Sequence, residues 1–70
     1  MQVIKAVYSS EDKYFQEQYV MDDGSHVLVS AKYGKTFMQH GKNVPQKNHR
    51  VRSTMNEAVA RYLKNNPKNV

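Results

Sequence analysis

His26, His40 and His49 are the side chains of this chain best suited to metal ligation or to proton transfer near neutral pH. Zinc sites draw their ligands in close pairs or from successive helical turns. The spacings here, fourteen and nine residues, match neither pattern, and no Asp or Glu stands near His40 or His49 in sequence to orient a ring. No metal site is expected. A small ribonuclease works with general acid–base groups and cations that stabilise a phosphorane. His40, His49, Arg50, Arg52 and Tyr33 are the residues of the right types. Nothing in their order brings them together, so no catalytic residue is assigned and no enzymatic activity is expected. Gly34 and Gly41 are isolated, which excludes a glycine-rich phosphate loop and any cofactor that needs one. The paired carboxylates Glu11-Asp12 and Asp22-Asp23 fall in turn sequences, and turn chemistry accounts for them.

The stronger chemical signal is cationic. Net charge is +5, unevenly placed. Residues 1–24 hold five of the six acids against Lys5 and Lys13, a net of −3. Residues 25–70 hold nine Lys and Arg against Glu57 alone, a net of +8. Such asymmetry in one small chain predicts an electrostatic face. Tyr33-Gly34-Lys35-Thr36-Phe37 interleaves aromatic rings with a cation, although Phe37 also suits a core. If His49-Arg50-Val51-Arg52-Ser53 is extended, Arg50 and Arg52 project to one side. Two arginines there, beside a helix N-terminus, would suit phosphate contacts. The set expected to contact phosphates is Lys35, Lys42, Lys47, Arg50, Arg52, Arg61 and Lys64.

Seventy residues allow one domain. With no cysteine, disulfides, zinc ribbons and thiol nucleophiles are excluded, which fits a reducing cytoplasm. Met1-Gln2-Val3-Ile4-Lys5 lacks the pattern of a signal peptide, and no apolar run is long enough for a membrane span. The expectation is a cytoplasmic domain over residues 1–66 with a flexible tail at 67–70.

These groups must be positioned by a small α+β fold. Val3–Tyr8 is rich in β-formers and reads as a first strand, Tyr14–Met21 as a second, His26–Tyr33 as a third. Asp22-Asp23-Gly24 is the clearest hairpin signal. A two-residue Asp23-Gly24 loop would mix both faces. A three-residue loop with Gly24 in the left-handed region pairs Tyr19 with Val27, Glu17 with Val29 and Phe15 with Ala31. That register gathers Phe15, Tyr19, Met21, Val27, Val29 and Ala31 on one face. Glu17 is then a misfit, expected near an edge or paired. The opposite face carries Tyr14, Gln16, Gln18, Val20, His26, Leu28, Ser30 and Lys32, with Tyr14, Gln16 and Gln18 as second-rank candidates for base or sugar contacts.

Residues 34–50 are irregular. Thr36-Phe37-Met38 fits a short strand or a plug, and His49–Arg52 fits a short fourth strand. Thr54, with Glu57 completing a capping box, or Ser53 starts a helix. Met55, Ala58, Val59, Tyr62 and Leu63 form its apolar stripe. Asn65-Asn66-Pro67 ends it. The predicted architecture is a three-stranded antiparallel meander packed by one C-terminal helix, with that fourth strand open.

Over residues 14–64 this order resembles the arm-binding domains of phage and transposon integrases. The Asp23-Gly24 hairpin and the Ser53-Thr54-x-x-Glu57-Ala58 helix start carry the likeness. The resemblance implies a three-stranded sheet that enters the DNA major groove, backed by a helix. The stretch 34–48 is longer than that pattern, and membership is not claimed. The expected function is a basic, non-enzymatic nucleic-acid-binding protein, on DNA or RNA. The alternative is a small phage- or plasmid-type inhibitor that binds an acidic host protein.

Overall fold

A computed structural model of the chain describes residues 1–9 and 16–68. Five strands form one antiparallel sheet, and each pairs with the next in sequence. They are β1 (Val3–Tyr8), β2 (Glu17–Met21), β3 (His26–Ser30), β4 (Gly34–Gln39) and β5 (Lys42–Asn43). One helix, α1 (His49–Asn65), covers one face. The α+β class and the C-terminal helix match the expectation, and the sheet has two more strands than the three-stranded meander.

The hairpin between β2 and β3 has the expected register. Glu17 pairs with Val29 and Tyr19 with Val27. Met21 N–H bonds the Ser25 carbonyl (2.8 Å), which leaves Asp22, Asp23 and Gly24 as a three-residue loop. Gly24 has φ +86°, the left-handed region where a side chain is strained. Tyr14 and Phe15, including the pairing of Phe15 with Ala31, lie outside the described residues.

The extra strands come from two tight turns. β3 ends at Ser30 rather than Tyr33, because Ser30 Oγ accepts from the N–H groups of Lys32 and Tyr33 (3.1 Å each) and turns the chain. Gly34, at φ +75°, then opens β4 opposite Ser30. Thr36-Phe37-Met38 is thus mid-strand, and Ala31 sits exposed in the turn. His40 and Gly41, with φ 52° and 74°, form a two-residue loop between β4 and β5. The segment 34–50 is a hairpin and a helix start, not an irregular loop.

His49–Arg52 is helix, not a fourth strand. The cap is Asn48, whose Oδ1 accepts from Val51 N–H (3.4 Å), so neither Ser53 nor Thr54 starts the helix. Thr54 instead donates its hydroxyl to the Arg50 carbonyl one turn back (2.9 Å). The stripe begins at Val51, four residues before Met55, and this spacing holds the first turn in helix. Met55, Ala58 and Val59 are buried, with Val51, Tyr62 and Leu63 packed around them. They meet Tyr19, Met21, Val27, Phe37 and Val44 from the sheet side. Val3 and Ala6 of β1 and Val29 of β3 pack at the margin of this core.

Candidate functional site

β4, β5, the connection to α1 and the first turns of α1 follow one another directly in the chain. They carry Lys35, Lys42, Lys47, Arg50 and Arg52. All but Arg52 are exposed. Val44 anchors this end: it is buried, and its N–H bonds the Phe37 carbonyl (2.7 Å). The 45–48 turn closes with Asn48 N–H on the Pro45 carbonyl (3.0 Å). Lys47 and the first helical turn are therefore held on the sheet.

Arg50 and Arg52 do not project together. Successive residues on a helix turn by about 100°, so positions two apart face nearly opposite ways. Arg50 is exposed, whereas Arg52 is half-buried with its guanidinium carbon 4.4 Å from the Phe37 ring centroid. Lys35, two residues before Phe37 on the same strand face, reaches the helix one turn further on. Its Nζ donates to Asn56 Oδ1 (3.2 Å).

Arg61 and Lys64 stand apart. Eleven residues separate Arg50 from Arg61, roughly 16 Å along the axis. Glu57 lies on the same exposed helix face, between Arg50 and these two. Arg61 donates to the Met1 carbonyl (2.9 Å) and so ties α1 to the start of the chain. Lys64 occupies the last turn, where a cation suits the helix dipole. The seven sequence-predicted residues divide into an exposed group of Lys35, Lys42, Lys47 and Arg50, a packed Arg52, and two cations at the far end of α1.

The electrostatics of the first group are unusual for a helix start. The N-terminus of a helix carries partial positive charge, and acids are favoured there. Here the first turn contains no acid. Lys47, His49, Arg50 and Arg52 crowd it instead. Among the described residues the one salt bridge joins Lys68 to Glu17 (2.8 Å), so none of the exposed group is held in a salt bridge, although Lys35 lies close enough to Glu17 to favour its charge.

Two of the described acids, Glu17 and Asp23, are occupied by structure. Burial opposes ionisation of Glu17, but hydrogen bonds from Lys68 and from the Tyr19 hydroxyl outweigh it and hold its carboxyl below the usual range. The misfit on the inner sheet face is thus paired, on an internal strand. Tyr19 is pushed up by its burial and by the Glu17 carboxylate. Asp23 is lowered chiefly by the Ser25 N–H on its Oδ1 (2.9 Å).

The outer face of the sheet has no helix over it. A shallow groove there, about 530 Å³, runs past Gln18, His26, Leu28, Met38 and His40. Gln18 is the second-rank candidate on this surface; Gln16 precedes β2 and is exposed, and Tyr14 lies outside the described residues. Tyr33 projects from the β3–β4 turn with Lys32 Nζ 5.3 Å from its ring centroid. Phe37 is core. Of the nuclease set, Tyr33 lies in the β3–β4 turn and His40 in the β4–β5 loop, while His49, Arg50 and Arg52 lie in the first turns of α1. Among the described residues no three His, Asp or Glu side chains gather to hold a metal ion.

No known protein family, curated protein or solved structure matches the chain. No helix among the described residues is long and apolar enough to cross a membrane.

Proposed function

We propose that this chain is a non-enzymatic nucleic-acid-binding module that grips the phosphate backbone at the β4–β5–α1 end. One observation carries the reading. Two exposed cations, Lys47 and Arg50, flank the positive pole of a helix whose first turn has no acid, and exposed Lys35 and Lys42 lie on the strands that lead to it. For folding alone this arrangement is unfavourable, since like charges and the dipole oppose each other. A bound polyanion adds an attraction to each cation and to the helix pole, and these offset the unfavourable terms. Backbone phosphates supply negative charge at short, regular intervals, and Lys and Arg release their counterions on contact.

The role of each residue follows from its place. Lys42, Lys47 and Arg50 are point contacts to phosphate. Lys35 extends the track along β4. Arg52 supports the surface by stacking on Phe37 and adds charge from behind. Arg61 and Lys64 meet the backbone only if the nucleic acid follows the helix past Glu57. Phosphate contacts position a ligand without reading its sequence. Sequence or base preference would come from the outer sheet face around Gln18 or from Tyr33. The inhibitor reading uses the same cations against carboxylates of a protein.

A fluorescence anisotropy titration with mixed-sequence duplex DNA, single-stranded DNA and RNA at low salt tests the proposal. Saturable binding that Lys47→Glu and Arg50→Glu weaken on every nucleic acid is the expected result. Non-saturating association with all three, unchanged by those substitutions, would favour an acidic protein partner.

A further inference from the structure

The two edges of the sheet are built differently. β5, at one edge, is two residues long, carries Lys42 and is closely followed by Pro45. Short, charged edges flanked by proline resist pairing with other strands. β1, at the other edge, is six residues long with Lys5 as its one charge. Among the described residues, five large hydrophobics are exposed, and four belong to β1 or adjoin it: Met1, Ile4 (63%), Val7 (40%) and Tyr8 (45%). A long apolar edge strand in a chain that guards its other edge is a pairing surface.

The backbone fixes which groups are on offer. Ser9 N–H bonds the Gln16 carbonyl (3.0 Å), and Val7 stands opposite Gln18. Hydrogen-bonded pairs alternate along an antiparallel ladder. Ser9, Val7 and Lys5 therefore direct their peptide groups toward β2, while Tyr8 and Ala6 direct theirs outward. A bulge between Val3 and Lys5 interrupts the alternation at Ile4.

We propose that β1 pairs antiparallel with β1 of a second copy, about a two-fold axis through Val7, joining two five-stranded sheets into one of ten. Three antiparallel registers bring outward groups together. Centring on Ala6 sets the disturbed Ile4 opposite Tyr8. Centring on Tyr8 pairs that residue with itself and leaves Ala6 opposite residue 10, beyond the strand. Centring on Val7 sets Ala6 opposite Tyr8 twice and engages both N–H and C=O of each residue. Four hydrogen bonds result, and the bulge falls outside the ladder. The side chains agree: Tyr8 packs over the small Ala6 of the partner, Val7 meets Val7, and Lys5 faces Ser9 rather than another lysine. The surface lies at the opposite sheet edge from Lys42, so this proposal is independent of the nucleic-acid reading.

Sedimentation equilibrium of the full chain across a range of concentrations tests it. The expected result is a monomer–dimer equilibrium that doubles the 8.1 kDa mass. Ala6→Pro removes two donors from the pairing but none from the β1–β2 ladder, and should abolish the dimer. Val7→Lys and Val7→Glu each place like charges face to face, so each alone should weaken the dimer by about tenfold or more. An equimolar mixture of the two should restore it, because lysine then meets glutamate. Circular dichroism checks that each variant is folded. Val7 is an exposed side chain, so the charge pair decides the matter even if Ala6→Pro unfolds. A wild-type monomer at every concentration would overturn the proposal, as would a dimer indifferent to the Val7 charges or a mixture no tighter than its components.

Discussion

The guanidinium of Arg52 lies over the ring of Phe37, 4.4 Å from its centroid, and closes the sheet-facing flank of α1 at its first turns. Arg52 is thus part of the packing, while Arg50, two residues earlier, is exposed. Arg52→Ala should destabilise the fold by about 0.5–2 kcal/mol, through loss of the cation–π contact and of the buried stem. Arg50→Ala should leave stability nearly unchanged. Chemical denaturation of the two variants distinguishes them, and equal midpoints would show that the Phe37 contact contributes nothing.

Met55 is fully buried beneath the sheet, whereas Leu63 is half-buried at the margin of the core. Met55→Ala should therefore cost about 2–5 kcal/mol, a large share of the stability of a domain this small. Leu63→Ala should cost less. The ordering is read from denaturant midpoints, and a larger loss at Leu63 would contradict the packing described.

Gly24 stands at φ +86°, and a Cβ there would meet nothing within 4 Å. Any penalty on substitution is backbone strain alone. Gly24→Ala should destabilise by about 1–2 kcal/mol. Asp23→Asn should be tolerated, because an amide oxygen also accepts the Ser25 N–H. Thermal melts of both variants check this, and an unchanged melt for Gly24→Ala would contradict the three-residue loop.

Glu17 and Asp23 both ionise more readily in the fold than as free side chains. The sign follows from linkage. A carboxyl with a depressed folded value contributes stability that is fully present above its unfolded value and is lost as pH falls through the folded one. Stability should therefore fall on acidification below the ordinary carboxylate range. Glu17→Gln should flatten part of that dependence, because the Lys68 and Tyr19 contacts no longer titrate. Denaturation midpoints at a series of pH values test it, and an identical acid limb in the variant would contradict the assigned role.

Much of the fold was legible in residue order. β1 followed from Val3–Tyr8, the β2–β3 register from Gly24 and the alternation around Tyr19, and the helix body from the Met55-to-Leu63 stripe. The missed strands lay behind turns with weaker signatures. Gly34 plays the same role after Ala31-Lys32-Tyr33 as Gly24 does after Asp22-Asp23, but Ala-Lys-Tyr is not a turn sequence by composition. The Ser30 hydroxyl supplies the missing turn chemistry. His40-Gly41 requires a histidine at positive φ, which few sequences signal. The helix start was obscured by Thr54 and Glu57, which spell a capping box one turn inside the helix. The discriminating signal was Val51, at the right spacing before Met55 and after Asn48. For the candidate site, the basic segment was evident from charge alone. The separation of Arg50 from Arg52 was not, because it depends on whether residues 49–52 alternate as a strand or wind as a helix.

The salt dependence of binding tests the central proposal most directly. Four exposed cations engaging four phosphates of duplex DNA should give a slope of log K against log salt of about −3 to −4. The double variant Lys47→Glu/Arg50→Glu should bind more weakly to every sequence, with a slope shallower by about 2. Because both side chains are exposed, its melting temperature should stay close to wild type. A wild-type slope near zero, or a double variant that keeps the full slope and affinity, would contradict a phosphate-gripping surface at the start of α1.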